Sequence, residues 1–444
     1  MVNLNKFKDL GLAAAAKATE KVKTARKSAT DKGGDEKYIV GLDIGTENVK
    51  ALIGHVQADG SIEIIGVGRQ HQALSDMQAG AIADIASVVD NCDKALNEAE
   101  QQAQVSVRTA VIGIAGELVK GTTTTVRATR QNSSKALDIA EMERIIRMVQ
   151  QRAEVKAKQQ LAVELGGKDV EVRLVNSALV SIEIDGYPVT NPIGFQGRDV
   201  VVQLYTAFAP MIHIGALERT AQELDLDLLA VAAEPFAVSR AVIGDNLNNN
   251  LSTILMDVGG GTTDIAVIND GGVQGTKMFG IGGRAFTRSI ERDLNVEFDD
   301  AEKLKIGLSN DTVPQKQIKA VEDALSKTLD VWTSGIELAL SEFNQLDHLP
   351  YRLFLCGGGS SLDMLMERLE QGEWYRNLPF TRKPVVHHIR PGQVAGITDA
   401  TGNVEDHTFI TAMGLLRVGL DTLQFNGDGA GGSIREKIDR MLRA

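Results

Sequence analysis

The chain has little of what several classes of protein require. It has two cysteines in 444 residues, Cys92 and Cys356, so no disulfide framework supports its fold and we expect a reducing, cytoplasmic compartment. It has no run of 18 or more apolar residues, which excludes a membrane-spanning helix. Hydrophobic residues at 43% and charged residues at 24% are typical of a globular protein, here long enough for two to four domains.

Positive charge is scarce outside one segment. The net charge is −12, which argues against general nucleic-acid binding. Residues 1–30 nevertheless hold seven Lys or Arg residues against two acidic ones. This basic, Ala-rich arm lacks the continuous apolar segment of a secretory signal, although a transit peptide remains an alternative. We expect the arm to meet an anionic partner, because the rest of the chain is strongly acidic.

Helical and strand patterns alternate along the chain. A helix is predicted over 81–103, because apolar residues recur there at 3.6-residue spacing. The segment 107–208 has a different pattern, with the strand "RTAVIGIAG", a Thr-rich strand and a helix predicted over 138–155. We interpret this segment as a small α+β module inserted between two parts of a larger domain.

Two stretches share one pattern, "IVGLDIGTENVKALI" and "ILMDVGGGTTDIAV". Each predicts a strand, an Asp-x-Gly element, a Thr-bearing turn and a second strand. Asp43 falls on Asp257 and Gly45 on Gly259, both 214 residues apart. A repeat at this separation indicates two related halves rather than a solenoid, whose period would be far shorter.

The residue types of this repeat suit a charged ligand. Val49 falls on Ile265, which predicts that the second turn is two residues longer than the first. An aspartate at a strand end offers a carboxylate to hydrated Mg²⁺, and glycines let backbone amides approach an anion closely. Two facing copies would hold a polyphosphate from both sides, with the metal between them. The alternative for either copy alone is a β-hairpin with a glycine turn.

A third glycine-rich element, "LFLCGGGSSL", runs from a predicted buried strand into a predicted helix. Bare backbone at such a corner suits close packing of a flat base or sugar, and a helix N-terminus suits an anion. Glycine-rich corners are common in α/β proteins, so this element gains meaning only beside the paired motifs.

These motifs together resemble a known superfamily. "LDIGTENVK", "MDVGGGTTDIAV" and "LCGGGSSL" are similar to the phosphate-1, phosphate-2 and adenosine motifs of the actin, hexokinase and sugar-kinase superfamily. "AAEPFAVS" and "TAMGLL" are similar to its two connecting helices, and all five occur in the superfamily's order. The resemblance implies an α/β, actin-like and ribonuclease-H-like fold of two lobes, with duplicated mixed sheets and an inserted small α+β subdomain.

Within this superfamily the chain resembles the FtsA family of bacterial cell-division proteins. The inserted module stands where FtsA carries its subdomain 1C, and "GYPVTNPIGFQGRDVVVQLYTAFA" and "GIGGRAFTRSIERDL" resemble FtsA segments. The implied segments are the arm (1–36), subdomain 1A (37–106, 209–250 and 386–425), subdomain 1C (107–208), subdomain 2A (251–275 and 345–385), subdomain 2B (276–344), a Gly-rich linker (426–432) and a C-terminal amphipathic helix (433–444).

The resemblance implies ATP and Mg²⁺ as cofactors, with Asp43 and Asp257 holding the metal through water. Glu234 and Asp257 are the candidate catalytic residues, and Glu234 would orient the attacking water in an ATPase that is weak or inactive. The residues implied to line the nucleotide site are Asp43, Gly45, Thr46, Asp257, Gly259, Gly260, Gly261, Thr262, Thr263, Glu302, Lys305, Gly357, Gly358, Gly359 and Ser360.

The last residues predict a tethered helix that begins with a capping box of Ser433 and Glu436. The predicted membrane-facing residues are Ile434, Ile438, Met441 and Leu442, surrounded by Arg435, Arg440 and Arg443. A basic amphipathic helix is typical of a peripheral membrane anchor, although it could also dock on the protein's own body. The basic arm is a candidate second anchor for anionic lipids.

The function implied by the resemblance is that of an actin-like protein that forms filaments of itself on the cytoplasmic face of the inner membrane at the division site. It would bind FtsZ and help to recruit other divisome membrane proteins. One alternative is PilM, an actin-like component of type IV pilus assembly. A less favoured one is a small-molecule kinase of the same superfamily, for which the sequence offers no plausible substrate-binding insert.

Overall fold

The computed structural model describes residues 37–243 and 251–427, with side chains through residue 423 in the last helix. The basic arm, the linker beyond residue 427 and the predicted C-terminal helix lie outside the described residues, so the predictions on them stay predictions. Within the described ranges, no helix combines the length and the apolar character needed to cross a membrane.

The described residues form seventeen strands, nine α-helices and four 3₁₀ turns. The strands are β1 (Lys37–Ile44), β2 (Asn48–Val56), β3 (Ile62–His71), β4 (Met77–Gln78), β5 (Ala81–Ile82), β6 (Thr109–Ile114), β7 (Lys120–Thr129), β8 (Val172–Ile184), β9 (Tyr187–Pro188), β10 (Asp199–Pro210), β11 (Asp227–Ala233), β12 (Thr253–Val258), β13 (Thr263–Asn269), β14 (Gly272–Phe279), β15 (Arg352–Cys356), β16 (Val385–His388) and β17 (Ile397–Asp399). The helices are α1 (Ile85–Ala103), α2 (Ile139–Glu164), α3 (Met211–Glu223), α4 (Glu234–Ile243), α5 (Gly283–Leu294), α6 (Phe298–Ser309), α7 (Gln315–Ser341), α8 (Asp363–Gln371) and α9 (Ile410–Gly427). The 3₁₀ turns are Gly358–Ser361, Trp374–Asn377, Pro391–Gln393 and His407–Phe409.

The first lobe is built on a six-stranded mixed sheet in the order β11-β6-β1-β2-β3-β17. β1 pairs antiparallel with β2 and parallel with β6. Helix α9 packs closely on this sheet, since a Cβ built on Gly41 of β1 would lie 2.8 Å from the carbonyl oxygen of Ala412. The absence of a side chain at Gly41 therefore sets how near the helix can come.

The second lobe is built on one end of a nine-stranded sheet in the order β16-β15-β12-β13-β14-β7-β10-β8-β9. Its core includes Trp332 of α7, whose Nε1 donates to Thr263 Oγ1 at 2.9 Å. The inserted module forms the other end of the same sheet, joined through a short pairing of β14 with β7. The predicted α/β class, with two mixed sheets and an inserted α+β module, is confirmed.

One predicted strand lies in a different sheet. The sequence predicts the strand "RTAVIGIAG" as part of the module at 107–208, but β6 lies between β11 and β1 in the sheet of the first lobe. Parallel neighbours of this kind come from distant parts of the chain, so a local sequence pattern does not reveal them.

Three helix ends also differ from prediction. α1 begins at Ile85 rather than at residue 81, because Asp84 caps it and accepts a hydrogen bond from the backbone N–H of Ala86 at 3.0 Å. α2 continues beyond residue 155 to Glu164, since Ala157 and Leu161 extend its buried face. α9 ends at Gly427, which is inside the predicted linker 426–432.

Candidate functional site

The two repeated motifs are β-hairpins with turns of equal length. Asp43 on β1 pairs in register with Lys50 on β2, and Asp257 on β12 pairs with Asp264 on β13. Both pairs are therefore seven residues apart. The predicted two-residue extension of the second turn is wrong, because the offset of 214 residues holds through the whole hairpin.

The two turns touch each other across the cleft between the lobes. A Cβ built on Gly260 would lie 3.0 Å from Cβ of Glu47, and one built on Gly261 would lie 2.7 Å from Oγ1 of Thr46. Any side chain on these glycines would force the first turn away. The consecutive glycines thus allow the two turns to approach as closely as they do.

A cavity of about 560 Å³ lies between the two hairpins, within the usual size range of a small-molecule site. The predicted site residues that line it are Asp43, Gly45, Thr46, Glu234, Asp257, Gly259, Gly260, Thr262, Glu302, Lys305, Gly357, Gly358 and Gly359. Residues from both lobes therefore meet at one cavity, as the pairing of the motifs predicted. The roles assigned to these residues remain predictions.

Three predicted residues do not line this cavity. The hydroxyl of Thr263 points toward the second lobe, donating to the carbonyl oxygen of Ile281 at 2.7 Å. Ser360 is fully buried and donates to the carbonyl oxygen of Gly357 at 2.7 Å. Gly261 packs on Thr46 instead. Thr263 and Ser360 therefore support the walls of the cavity rather than lining it, and the nucleotide contacts predicted for these three residues stay predictions.

Asp257 lies on the cavity floor and is buried. Its carboxylate accepts a hydrogen bond from the hydroxyl of Thr411 at the start of α9. Burial raises the pKa of Asp257, and the nearby negative charge of Asp43 adds to this rise. Asp43 itself is paired with the ammonium of Lys50 at 2.9 Å. The first hairpin therefore carries its own counter-ion, whereas the second carries none opposite Asp257.

Asp264 is a site residue that the sequence analysis missed. Its Oδ2 accepts a hydrogen bond from Thr262 Oγ1 at 3.1 Å, while its Oδ1 is buried and has no hydrogen-bond partner among the described residues. Burial raises the pKa of Asp264 well above its usual value, and the charge of Asp257 raises it further. Its position seven residues after Asp257, matching that of Lys50 after Asp43, is the signal that could have found it.

Glu234 is the first residue of α4 and is also buried at the cavity. Burial raises the pKa of Glu234 well above its usual value, and the charges of Asp43, Asp264 and Asp257 raise it further. Three carboxylates with raised pKa values thus share one cavity, and a cation there would favour their ionised forms. No group of three or more His, Cys, Asp or Glu side chains is placed to ligate a metal ion directly in the parts of the chain that the structure describes.

The predicted pair on α6 lies at the second-lobe side of the cavity. Lys305 Nζ is 2.7 Å from Glu302 Oε2 and donates to Thr287 Oγ1 at 2.9 Å. Lys305 also donates to the carbonyl oxygen of Gly283 at 3.2 Å, where α5 begins. These contacts hold both side chains in place at the cavity wall.

The third glycine-rich element packs directly on the second hairpin. Gly357 has φ +81°, and a Cβ there would overlap the carboxylate of Asp257 and lie 2.6 Å from the carbonyl oxygen of Val258. A 3₁₀ turn, Gly358–Ser361, follows it, so α8 begins only at Asp363. The predicted direct passage from glycines into an α-helix is therefore interrupted by one tighter turn.

Two lobes with equivalent hairpins around one cleft, joined by α4 and α9, form an actin-like fold. The solved structure of a PilM-PilN type IV pilus biogenesis complex includes a chain that aligns with a TM-score of 0.61 at 17% identity, covering 86% of this chain and 98% of that one. At this level of identity the likeness shows the fold alone. The actin-like fold predicted from the motifs is confirmed.

The resemblance to the FtsA family is confirmed as well. The family model described as "Cell division protein FtsA" matches residues 254–414. FtsA of Pseudomonas aeruginosa is 26% identical over 90% of this chain and 92% of its own length. FtsA of Neisseria meningitidis is 29% identical over 61% of each chain. The chain is thus similar, over most of its length, to a protein named as cell division protein FtsA.

Proposed function

We propose that this protein is an ATP-binding, actin-like cell-division protein that forms filaments on the cytoplasmic membrane and tethers FtsZ filaments there. It would also help to recruit later divisome proteins at the division site. The observation that carries this proposal is the similarity to FtsA of Pseudomonas aeruginosa along nine-tenths of the chain. The paired hairpins around one cavity supply a place for the nucleotide.

The cavity suits a nucleoside polyphosphate with Mg²⁺. Residues of both turns line it, and so do the basic residues Lys50 and Arg284. The unpartnered oxygen of Asp264 and the raised pKa values of Asp257 and Asp264 mark a place where positive charge is missing. Hydrated Mg²⁺ would supply that charge, and Asp43 and Asp257 are the residues that would hold it through water.

Glu234 is proposed to orient the water that attacks the terminal phosphate. Burial and the neighbouring carboxylates raise the pKa of Glu234, which shifts it toward the protonated form that cannot accept a proton. A cation in the cavity would favour its ionised form. We expect any ATP hydrolysis to be slow, with ATP acting chiefly as a clamp between the two lobes.

The membrane contact is proposed for the C-terminal segment 433–444. The described part of the chain ends in α9 at Gly427, and the predicted Gly-rich linker would let the amphipathic helix reach a lipid surface. One short basic helix binds weakly, but a filament that carries many copies binds firmly through effective concentration.

A second candidate function is that of PilM, because the PilM-PilN complex has the same fold over most of this chain. Binding to FtsZ separates the two proposals. Purified full-length protein should retain FtsZ in a pull-down at moderate salt and should assemble with it on anionic vesicles when ATP is present. Absence of FtsZ binding at every salt concentration would count against the cell-division proposal and favour the pilus one.

A further inference from the structure

One ion pair joins the two lobes at the wall of the cavity. Arg284, the second residue of α5, donates from Nε to Glu47 Oε2 at 2.8 Å and from Nη2 to the carbonyl oxygen of Gln72 at 3.3 Å. Glu47 lies in the turn of the first hairpin, and the Arg284 side chain is only 10% exposed. Both residues line the proposed nucleotide cavity.

The backbone of Arg284 is fixed to the turn of the second hairpin. Its N–H donates to the carbonyl oxygen of Gly260 at 2.8 Å, and the N–H of Gly283 donates to that of Gly259 at 2.9 Å. Arg284 is therefore anchored to one turn through its backbone and to the other through its side chain. Only the side chain is free to change partner without moving the turn.

Glu47 is held in place independently of Arg284. The backbone N–H of Gln72 donates to the carbonyl oxygen of Glu47 at 2.9 Å, and Gln72 Nε2 donates to that of Gly45 at 2.7 Å. The second carboxylate oxygen of Glu47 lies 3.4 Å from Nδ1 of the exposed His71. If the Arg284 side chain changed partner, Glu47 would keep its position and its contact with His71. The Glu47 carboxylate is also partly exposed to solvent.

We propose that Arg284 is a phosphate-binding residue that exchanges Glu47 for the phosphate chain of the nucleotide. In the ligand-free protein the Glu47–Arg284 pair is then a latch that holds the lobes together. The proposal rests on the proposed binding of ATP. Carboxylate and phosphate oxygens both fit the guanidinium, and a polyphosphate carries more charge than a single carboxylate.

In this exchange Glu47 competes with the nucleotide for Arg284. Removing the charge of Glu47 should therefore strengthen nucleotide binding. Isothermal titration of the full chain with ATP, ADP and adenosine, each with Mg²⁺, measures the effect of Glu47→Gln. We expect ATP and ADP to bind about threefold to tenfold more tightly, with adenosine unchanged, since the amide keeps the shape but no longer neutralises Arg284. Unchanged or weakened ATP binding by Glu47→Gln overturns the exchange.

The same titration with Arg284→Ala gives the complementary result. ATP and ADP should bind about tenfold or more weakly, again with adenosine unchanged, because a charge-assisted contact to phosphate is lost. The matched control is Arg147→Ala, which removes an arginine from an exposed ion pair with Glu143 far from the cavity. An equal loss for adenosine would assign Arg284 a structural role and contradict the proposal.

The ligand-free latch is tested without nucleotide. Cysteines introduced at the exposed Gln101 on α1 and Glu322 on α7 carry spin labels on the two lobes, while Cys92 and Cys356 are buried. Arg284→Ala should broaden the distribution of distances between the two spin labels, measured by double electron–electron resonance. A distribution identical to that of the parent overturns the latch. If the unmodified chain fails to bind ATP, the proposed function fails instead, and the distance measurement still decides the latch.

Discussion

Lys50 and Asp264 occupy equivalent positions in the two hairpins that face each other across the cleft. Lys50 stands opposite Asp43 in the register of β1 and β2, and Asp264 stands opposite Asp257 in that of β12 and β13. The first hairpin thus pairs Asp43 with the ammonium of Lys50, whereas the second hairpin places the carboxylate of Asp264 opposite Asp257. Within the two hairpins, the carboxylates without an opposing ammonium are therefore those of the second hairpin, and a bound cation would favour their ionised forms.

Replacing Asp264 by Asn should change how the stability of the ligand-free protein depends on pH. A raised pKa means that the folded protein holds this proton more tightly than the unfolded chain does. The stabilisation is complete below the unfolded pKa and is lost as pH rises through the folded one. Asp264→Asn removes the charge, so its unfolding temperature should exceed that of the parent by a few degrees at pH 8.

That difference should shrink as pH falls toward the ordinary pKa of an aspartate. Thermal unfolding followed at several pH values in the absence of Mg²⁺ and nucleotide measures it. Asp270→Asn in the exposed turn after β13 is the matched control, since it removes the same charge at a solvated site. A variant less stable than the parent at pH 8 would show that the Asp264 carboxylate is already neutralised by other groups.

Replacing Gly357 by Ala should destabilise the ligand-free protein. The added methyl would overlap the Asp257 carboxylate at a backbone φ of +81°, which costs about 1–3 kcal/mol before any clash is counted. Gly358→Ala is the matched control, because a Cβ there meets nothing within 4 Å. Chemical denaturation should place Gly358→Ala within about 0.5 kcal/mol of the parent. Equal losses of stability for the two variants would show that close packing against Asp257 does not cause the effect of Gly357→Ala.

Removing the predicted anchor should release the protein from membranes. Full-length protein and a 1–426 truncation, each with ATP, are sedimented with vesicles that contain anionic lipid. We expect the truncation to stay largely in the supernatant, because the apolar residues at Ile434, Ile438, Met441 and Leu442 are lost with their basic neighbours. Equal sedimentation would assign the contact to another segment, for which the basic arm is the first candidate.

The paired motifs could be predicted from sequence because each places Asp-x-Gly between two runs of strand-forming residues. The length of the second turn could not. Apolar residues on both sides of the strands allowed Val49 to be matched with Ile265, whereas the hairpin register matches it with Thr263. Because side chains alternate along β13, Asp264 faces the cavity and Thr263 faces away from it. The sequence pattern therefore placed Thr263 among the lining residues and missed Asp264.

Contacts between distant segments lay beyond the sequence for a different reason. β6 joins the first sheet through parallel pairing with β1 and β11, and neither partner adjoins it in the chain. Glu47 and Arg284 are 237 residues apart, and each alone is an ordinary charged residue beside a glycine-rich turn. Local patterns predict the elements and the turns, while these contacts depend on how the two lobes close.

Nucleotide binding between the two hairpins is the central claim, and titration of the full chain with ATP and Mg²⁺ tests it most directly. We predict that the parent and the Asp270→Asn control bind ATP, and that Asp257→Ala does not, since Asp257 is at the floor of the cavity and helps to hold the hydrated metal. Folding of Asp257→Ala is checked by circular dichroism. Unchanged ATP affinity in a folded Asp257→Ala, or no ATP binding by the parent, would contradict the account.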